Sequence, residues 1–395
     1  MNAADTAWIM VATALVLLMT LPGLGLFYGG LVRSKNVLSV FIHNYLIASL
    51  MSILWFAFGY SIAFGSGNSL WGGLEKSFLI GVNQSSLSGT IPEVLFFAFQ
   101  MTFAIITPAL IVGAYVERVS LGFVVLFSSL WMLLVYSPVV HWVWGGGLLS
   151  NGSLFEVPVM DFAGGIVVHE TAGIAALTIA FFLGKRKDVS KPPHNPGMVM
   201  IGASLLWVGW FGFNGGSQLA ADGGAALALS VTHISAAAAS LSWALWEKMK
   251  YGKVSLVGIV TGTIAGLASI TPASGFVGFF EAAIIGFLAG ILCQEGVNII
   301  RNILKIDDTL DVFAVHGLGG IFGILMMPLF NSIGLENGSN WTSQIMSILI
   351  VGFFTFIMTV IIIKFVNFFI SIRVSEEDET EGLDVSTHGE RAYDN

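Results

Sequence analysis

Charged residues are scarce in this chain of 395 residues. Only 10% of the residues are Asp, Glu, Lys or Arg, whereas hydrophobic residues make up 55%. A soluble domain carries about 25% charged residues, so this composition excludes a water-soluble globular fold. The 47 glycines and 31 phenylalanines are typical of a membrane protein, because glycine permits close helix packing and large apolar side chains can face lipid.

Cysteine is almost absent as well. Cys293 lies in an apolar run and has no second cysteine to pair with, which excludes a disulfide framework, a cysteine-based zinc site and an iron–sulfur cluster. The chain contains no nucleotide-binding loop, zinc-protease motif or nucleophile constellation in a credible context. We therefore expect no enzymatic activity, no metal and no cofactor, and membrane lipids rather than nucleic acid as surroundings.

Eleven apolar runs predict membrane spans. A transmembrane helix needs roughly 20 mostly apolar residues, and the uncharged stretch 254–280 is too long for one helix, so we divide it at Pro272. The predicted spans are 7–31, 37–64, 94–116, 119–138, 162–184, 197–219, 223–246, 254–270, 279–303, 312–330 and 342–364. The sequence therefore predicts an all-α integral membrane protein.

The basic residues predict the orientation of these spans. If the N-terminus is outside, all but one of the 16 Lys and Arg residues lie on or next to the cytoplasmic side, and only Lys76 lies outside. This distribution follows the positive-inside rule. No signal-peptide cleavage site follows the first apolar run, so we expect the first helix to stay in the mature protein.

Three pairs of motifs recur five spans apart. Residues 26–30 resemble 211–216, His43 corresponds to His233, and an Asp followed after seven residues by His occurs at 161–169 and again at 308–316. An odd number of spans per copy inverts the second copy across the membrane, as in many transporters. We predict a transmembrane domain at 1–370 with repeat halves at 7–184 and 197–330, an extra helix at 342–364, and a cytoplasmic tail at 371–395.

Two histidines lie deep inside these predicted spans. His169 lies about eight residues into its span, roughly 12 Å along the helix axis, and His316 lies at a comparable depth from the other face. A single buried histidine would favour a core side chain bonded to a backbone carbonyl, but two at equivalent repeat positions favour a functional role. Burial disfavours the imidazolium form, so we expect neutral rings that share a proton, which suits a small hydrogen-bonding solute or a proton.

The carboxylates and tryptophans leave alternatives open. Asp161 and Asp308 are expected to cap helix N-termini, although the field of Asp161 could also attract a cation. Glu170 must face another helix, a subunit or a water-filled cavity, whereas Glu295 lies close enough to a helix end to be solvated or paired. Tryptophans on the outer side usually belong to interfacial belts, and a cation held against aromatic faces is the competing use; these tryptophans are Trp142, Trp144, Trp207 and Trp210.

Four segments resemble the ammonium transporters of the Amt/Mep/Rh superfamily, and the resemblance extends from Trp8 to the tail. The segments are Asp161-Phe-Ala-Gly-Gly-Ile-Val-Val-His169, Gly25-Leu-Phe-Tyr-Gly-Gly-Leu-Val-Arg33, Trp210-Phe-Gly-Phe-Asn-Gly-Gly-Ser217 and Asp311-Val-Phe-Ala-Val-His-Gly317. The tail segment 382–393 also resembles the family's regulatory tail. One departure is Glu170, which follows the first pore histidine where an uncharged residue is expected; we expect its side chain to face protein.

The resemblance implies a homotrimer in the cell membrane with one pore per subunit. It implies that Trp144, Phe103 and Ser217 form an outer ammonium recruitment site supported by Asp161. Phe103 and Phe213 would be a stacked gate, and His169 and His316 would be the twin pore histidines. The tail would dock a cytoplasmic PII-type signalling protein, and methylammonium would serve as a substrate analogue.

The expected mechanism is recruitment of ammonium, loss of its proton near the gate and passage of ammonia past the histidines, with the proton able to follow separately. A passive channel for a small neutral solute is one alternative, and an ammonium sensor that signals through its tail is another. The tail residues 374–395 hold eight acidic residues and one basic residue, a net charge of −7 out of −8 for the chain. This concentration of charge indicates a regulatory segment rather than a substrate site.

Overall fold

The computed structural model describes residues 1–150, 154–187, 192–332, 334 and 336–393. This part of the chain is mostly helical, with a short hairpin of β1 (Leu87–Ser88) and β2 (Ile91–Pro92). The eleven long helices are α1 (Ala3–Leu31), α2 (Ser34–Phe64), α3 (Glu93–Tyr115), α4 (Leu121–Val143), α5 (Gly165–Leu183), α6 (Pro196–Gly216), α7 (Gly223–Tyr251), α8 (Leu256–Ile270), α9 (Phe279–Ile303), α10 (Phe313–Ser332) and α11 (Trp341–Phe369). Two short helices, α12 (Glu376–Glu381) and α13 (Leu383–His388), follow in the tail.

The helices follow one another in the order of the predicted spans. Within the described residues, ten of them are long and apolar enough to cross a membrane, and α8 is a shorter apolar helix of 15 residues. The predicted break at Pro272 is confirmed, since α8 ends at Ile270. The main differences are at helix ends, where α4, α7 and α11 each continue five residues beyond the predicted limit. The count of eleven spans, the orientation and the domain limits remain predictions.

Side chains at the helix starts define several of these boundaries. Asn2, Ser120, Asp222 and Asn340 each accept a hydrogen bond from a backbone N–H in the first turn of the following helix. Such caps satisfy donors that have no partner inside the helix, and each contributes about 1 kcal/mol. The boundaries that propensity leaves vague are therefore fixed by polar residues in the loops.

Glycines allow three of the helices to pack very closely. A methyl group on Gly286 of α9 would lie 2.1 Å from the carbonyl oxygen of Ser235 in α7, and one on Gly262 of α8 would lie 2.6 Å from Cβ of Trp243. Close backbone approach through small residues is the usual way that membrane helices associate. The glycine spacing in α8 and α9 is therefore structural, as the sequence predicts.

Buried ion pairs join the loops at one end of the bundle, which we call the arginine face after Arg33, Arg118 and Arg186. Oε2 of Glu117 accepts from Nε of Arg33 at 3.0 Å and from Nη1 of Arg186 at 2.9 Å, while Nε of Arg186 also donates to Asp307 at 2.9 Å. Burial opposes ionisation of Glu117, but Arg186 and Arg33 hold its pKa below the usual value. The positively charged side chains at this face are therefore largely paired with carboxylates of the same protein.

The acidic tail docks on this face rather than extending away from it. Asp384 accepts from the N–H groups of Ser39 at 2.7 Å and of Leu38 at 3.1 Å, which lie at the start of α2. The N–H of Leu383 donates to Oδ1 of Asn36 at 2.9 Å. Glu379 is likewise buried, and its carboxylate accepts hydrogen bonds from the Arg373 guanidinium and from the backbone N–H of Lys187. The described part of the tail therefore caps a helix of the bundle through Asp384.

We expect Asp384→Ala to release the tail, because it removes the acceptor of two helix N-terminal N–H groups. Loss of such a cap costs about 1–2 kcal/mol, which corresponds to a roughly 5- to 30-fold larger population of the released tail. Hydrogen–deuterium exchange of peptides covering 376–393 would measure the change. Glu381→Gln, an exposed residue of the same tail, is the matched control, and equal exchange in both variants would contradict this docking contact.

Candidate functional site

Two cavities approach each other from opposite ends of the bundle. The first, which we call the aromatic pocket, has a volume of about 360 Å³, and its lining includes Phe96, Gln100, Phe103, Trp144, Phe162 and Ser217. The second, the arginine-face cavity, has a volume of about 220 Å³, and its lining includes Thr309, Asp311, Val315 and His316 beside Arg186 and Arg301. The predicted site residues lie at and between these two cavities.

Three of the predicted recruitment residues meet in the aromatic pocket. The ring of Trp144 stands perpendicular to that of Phe103, with an interplanar angle of 89° and centroids 6.1 Å apart. Ser217, at the C-terminal end of α6, donates from its hydroxyl to the carbonyl oxygen of Phe213 at 2.8 Å. The pocket thus offers two aromatic rings and a hydroxyl oxygen to a small cation.

Two phenylalanine rings close the inner end of this pocket. Phe103 is 1% exposed and Phe213 is fully buried, and their centroids lie 4.2 Å apart with an angle of 34° between the planes. The two rings come from α3 and α6, so the barrier depends on how these helices pack. The two rings therefore separate the aromatic pocket from the residues beneath them.

The histidine pair, His169 and His316, lies directly beneath this barrier. The His169 ring lies 6.1 Å from that of Phe213 and 5.2 Å from that of His316. The two Nδ1 atoms are 3.2 Å apart, so one imidazole donates and the other accepts, and the two rings have different tautomers. His316 also lines the arginine-face cavity. The rings of Phe103, Phe213, His169 and His316 therefore form one line from cavity to cavity.

Asp161 holds the start of α5, the helix that contributes one ring to this line. Its two carboxylate oxygens accept from four consecutive backbone N–H groups, those of Gly164, Gly165, Ile166 and Val167, at 2.6–3.1 Å. Its carbonyl oxygen accepts from Nε1 of Trp144 at 2.8 Å. Asp161 thus caps α5, as predicted, and fixes the tryptophan, while its carboxylate faces the helix rather than the aromatic pocket.

Both histidines lie in π-helical turns at the start of their helices. These turns are Gly165–Glu170 in α5 and Phe313–Gly317 in α10. Gly164, just before the first turn, has a φ of 117°, a conformation that favours glycine. Wider turns of this kind occur frequently at functional sites, and here they have the same position in both predicted repeat halves.

Carboxylates line the approach from the arginine face. Asp311, for which the sequence predicts no role, forms an ion pair with Arg301, in which Oδ1 and Nε are 2.6 Å apart. Asp308 caps α10 by accepting from the N–H of Phe313 at 2.7 Å, as predicted. Burial raises the pKa of Asp308 to about 7, and the neighbouring Asp311 adds to this effect. The approach from the arginine face therefore holds a buried acid whose pKa is raised.

Sequence reasoning missed or misassigned several side chains near the pair. Trp210 is 1% exposed and its ring stacks on that of His169 at 5.5 Å, so its assignment to an interfacial belt is wrong. Trp142 is also buried and bonds the carbonyl oxygen of Leu70. Gln100 was not singled out, yet it lines the aromatic pocket. Its place in α3, three residues before Phe103, is the only sequence signal that could have indicated it.

A bundle of apolar helices with opposed cavities and a gated line of rings between them defines a multi-pass membrane transport protein. Comparison with known proteins specifies the family. Residues 7–393 match the model of the Ammonium Transporter Family. The chain belongs to this family, and it is a transporter rather than an enzyme.

Relatives and solved structures cover nearly the whole chain. It is 46% identical over 406 residues to an ammonium transporter of Bacillus subtilis, with 100% of this chain and 99% of the relative covered. It is 45% identical over 410 residues to a putative ammonium transporter of Methanothermobacter thermautotrophicus, with the same coverage. The crystal structure of Candida albicans Mep2 superposes with a TM-score of 0.86 at 35% identity, covering 95% of this chain and 87% of that one.

We expect Asp161→Ala to destabilise the protein strongly, because it leaves four buried N–H groups without an acceptor. Each such group costs about 1–3 kcal/mol. Asp161→Asn keeps one carbonyl oxygen and should lose less. Melting temperatures of the purified variants in detergent would check the order, with Asp222→Ala, which removes an exposed cap of α7, as the matched control. A smaller loss for Asp161→Ala than for this control would contradict the capping role.

Proposed function

We propose that the protein transports ammonium by binding it in the aromatic pocket, removing its proton at the Phe gate and passing ammonia along the histidine pair. The observation that carries this proposal is the continuous line of rings between the two cavities, formed by Phe103, Phe213, His169 and His316. The names of the relatives, which are ammonium transporters, support the substrate.

Recruitment rests on the faces of Trp144 and Phe103 and on the hydroxyl oxygen of Ser217. An ammonium ion has four N–H donors and one positive charge, so it is attracted both by aromatic faces and by oxygen acceptors. Gln100 adds an acceptor, since its Oε1 is buried and has no hydrogen-bond partner in the described chain. Asp161 acts indirectly, by holding Trp144 and the start of α5 in place.

Deprotonation follows from the cost of moving an ion past the gate. A bare cation in an apolar path is very unfavourable, whereas neutral ammonia loses far less hydration energy. The buried imidazoles of His169 and His316 are then hydrogen-bonding groups for ammonia. The Nδ1–Nδ1 contact of 3.2 Å also gives the released proton a route between the rings. Potassium has no proton to release and is rejected at the same step.

The family resemblance supports the setting of this mechanism. We propose a homotrimer in the cell membrane, with eleven spans, an inverted 5+5 repeat, the N-terminus outside and the tail in the cytoplasm. The tail at 371–395 would be the docking surface for a PII-type protein. Its contacts with the start of α2 would connect such a partner to the bundle.

A sensor function is the second candidate. The structure named Sensor Amt Protein superposes on this chain with a TM-score of 0.88 at 29% identity, and the tail is docked on the arginine face. A sensor would change tail contacts when ammonium is added while moving little substrate. Measurable ammonium flux in proteoliposomes separates the two functions.

We expect the double variant His169→Ala, His316→Ala to reduce the ammonium-evoked current of proteoliposomes at least tenfold, because the groups that line the apolar path are removed. Recordings on a solid-supported membrane with ammonium, methylammonium and potassium would measure this loss. His233→Ala, an exposed histidine in α7, is the control and should retain the current. An ammonium-evoked current that persists in the double variant would contradict the proposed mechanism.

We expect Trp144→Leu to raise the half-saturating ammonium concentration, by up to roughly 30-fold, because a desolvated cation–π contact contributes about 2 kcal/mol. Trp144→Phe keeps an aromatic face, so its half-saturating ammonium concentration should lie between those of the unchanged protein and Trp144→Leu. Concentration series of the ammonium-evoked current would give these values. Trp71→Leu changes an exposed tryptophan of an adjacent loop and should leave the half-saturation unchanged; an unchanged value for Trp144→Leu would rule out recruitment by this ring.

A further inference from the structure

Glu170 is a fully buried carboxyl group one residue beyond His169. Neither of its carboxyl oxygens has a hydrogen-bond partner among the residues that the structure describes. By contrast, Glu295 in α9 pairs with Lys250 and accepts from Nε1 of Trp246 at 2.5 Å. An acid that is buried in an apolar region without a partner is costly, and intramembrane acids generally have a function. The transport path described above does not use this group.

The carboxyl group points toward α11 and not into the pore. A methyl group on Gly352 of α11 would lie 3.0 Å from Oε1 of Glu170 and 3.1 Å from Cδ1 of Ile174. Gly352 therefore leaves room for the carboxyl group between α5 and α11. Because successive residues are separated by about 100° around a helix, Glu170 lies beside the line of rings without being part of it.

The histidine pair is the group whose charge this carboxyl can balance. The titratable groups on the elements packed around Glu170 are Asp161 and His169 near the start of α5, His316 in α10, Tyr136 and His141 in α4, Glu93 and Tyr115 at the ends of α3, and Lys364 in α11. Lys364 lies twelve residues beyond Gly352, roughly 18 Å along the axis. Glu93 is paired with Lys76. His141 contacts the backbone carbonyl oxygens of Ala63 and Asn68 with its two ring nitrogens. Among the remaining basic groups, the imidazole of His169 is next to Glu170 in the sequence, so it is the place where we expect a positive charge to arise.

We propose that Glu170 is the counter-charge of the histidine pair, and that the three groups titrate as one coupled unit. The pair then carries a positive charge only while Glu170 carries a negative one. The exchange is balanced: the carboxyl group gives up its proton and becomes a carboxylate, an imidazole nitrogen takes up one proton and becomes an imidazolium, and the unit as a whole stays neutral. This inference rests on the proposed transport function and makes Glu170 a positioning residue that acts through His169.

The size of the effect follows from Coulomb's law. For two opposite charges on the order of 10 Å apart, at an effective dielectric constant of about 20, the attraction changes proton affinity about tenfold. A proton on the pair is therefore about ten times easier to accommodate when Glu170 can ionise. Without this acid, the pair must be protonated as an uncompensated charge in an apolar core.

The test is the pH profile of the ammonium-evoked current, recorded on a solid-supported membrane with reconstituted full-length protein. We expect Glu170→Gln to move the midpoint to lower pH, by on the order of one unit, because the pair must then take its proton from solution as an uncompensated charge. Glu170→Asp retains an acid and should keep the midpoint close to that of the unchanged protein. Glu295→Gln removes the same charge at a solvent-screened position and should leave the midpoint in place.

An unchanged midpoint in Glu170→Gln would overturn the proposal, whatever the amplitude, because a structural role lowers the current equally at every pH. If the unchanged protein shows no ammonium-evoked current, the proposed transport function fails instead. A second measurement needs no transport and no glutamine variant. Infrared difference spectra of the unchanged protein between acidic and alkaline pH should show the carbonyl band of a protonated carboxyl group that shifts in Glu170→Asp, and a band that does not shift would also overturn the proposal.

Discussion

The cost of placing a charge in an apolar medium is the constraint on which this structure depends. It explains why only 10% of the residues are charged and why the arginines lie at one face in ion pairs with Glu117 and Asp307. It also explains why the line of rings between the two cavities offers aromatic faces and imidazoles instead of carboxylates. A cation can approach either end of this line, but only a solute that becomes neutral can follow it at low cost.

The same constraint determines how polar groups inside the helices are satisfied. Asp161 gives its two carboxylate oxygens to four backbone N–H groups, and the amide of Asn44 donates to the carbonyl oxygens of Thr20 and Leu21. Groups of this kind stabilise helix starts and helix contacts. Two buried side chains without such partners lie close to the line of rings, because Gln100 borders the aromatic pocket and Glu170 follows His169.

Sequence reasoning predicts most of the fold because apolar runs, prolines and basic flanks act locally. It places the eleven helices, the break at Pro272 and the capping role of Asp161, and it finds two histidines at equivalent depths. It does not find the stacking of Trp210 on His169 or the docking of Asp384 on α2. These contacts join residues that are distant in the sequence, and they depend on side-chain directions that no local pattern specifies. The prediction that Phe103 and Phe213 lie together comes from the family resemblance and not from their spacing in the sequence.

The two halves of the bundle are similar in plan but different in chemistry. Asp161 caps α5 through four N–H groups, whereas Asp308 caps α10 chiefly through that of Phe313. Trp210 stacks on His169 and not on His316, and the residue after each histidine is Glu170 in one half but Gly317 in the other. A symmetric pair of imidazoles is thus placed in an asymmetric field, with aromatic faces on one side and carboxylates on the other. Since proton affinity depends on such surroundings, the two histidines are not equivalent, and this difference makes the two ends of the line of rings chemically distinct.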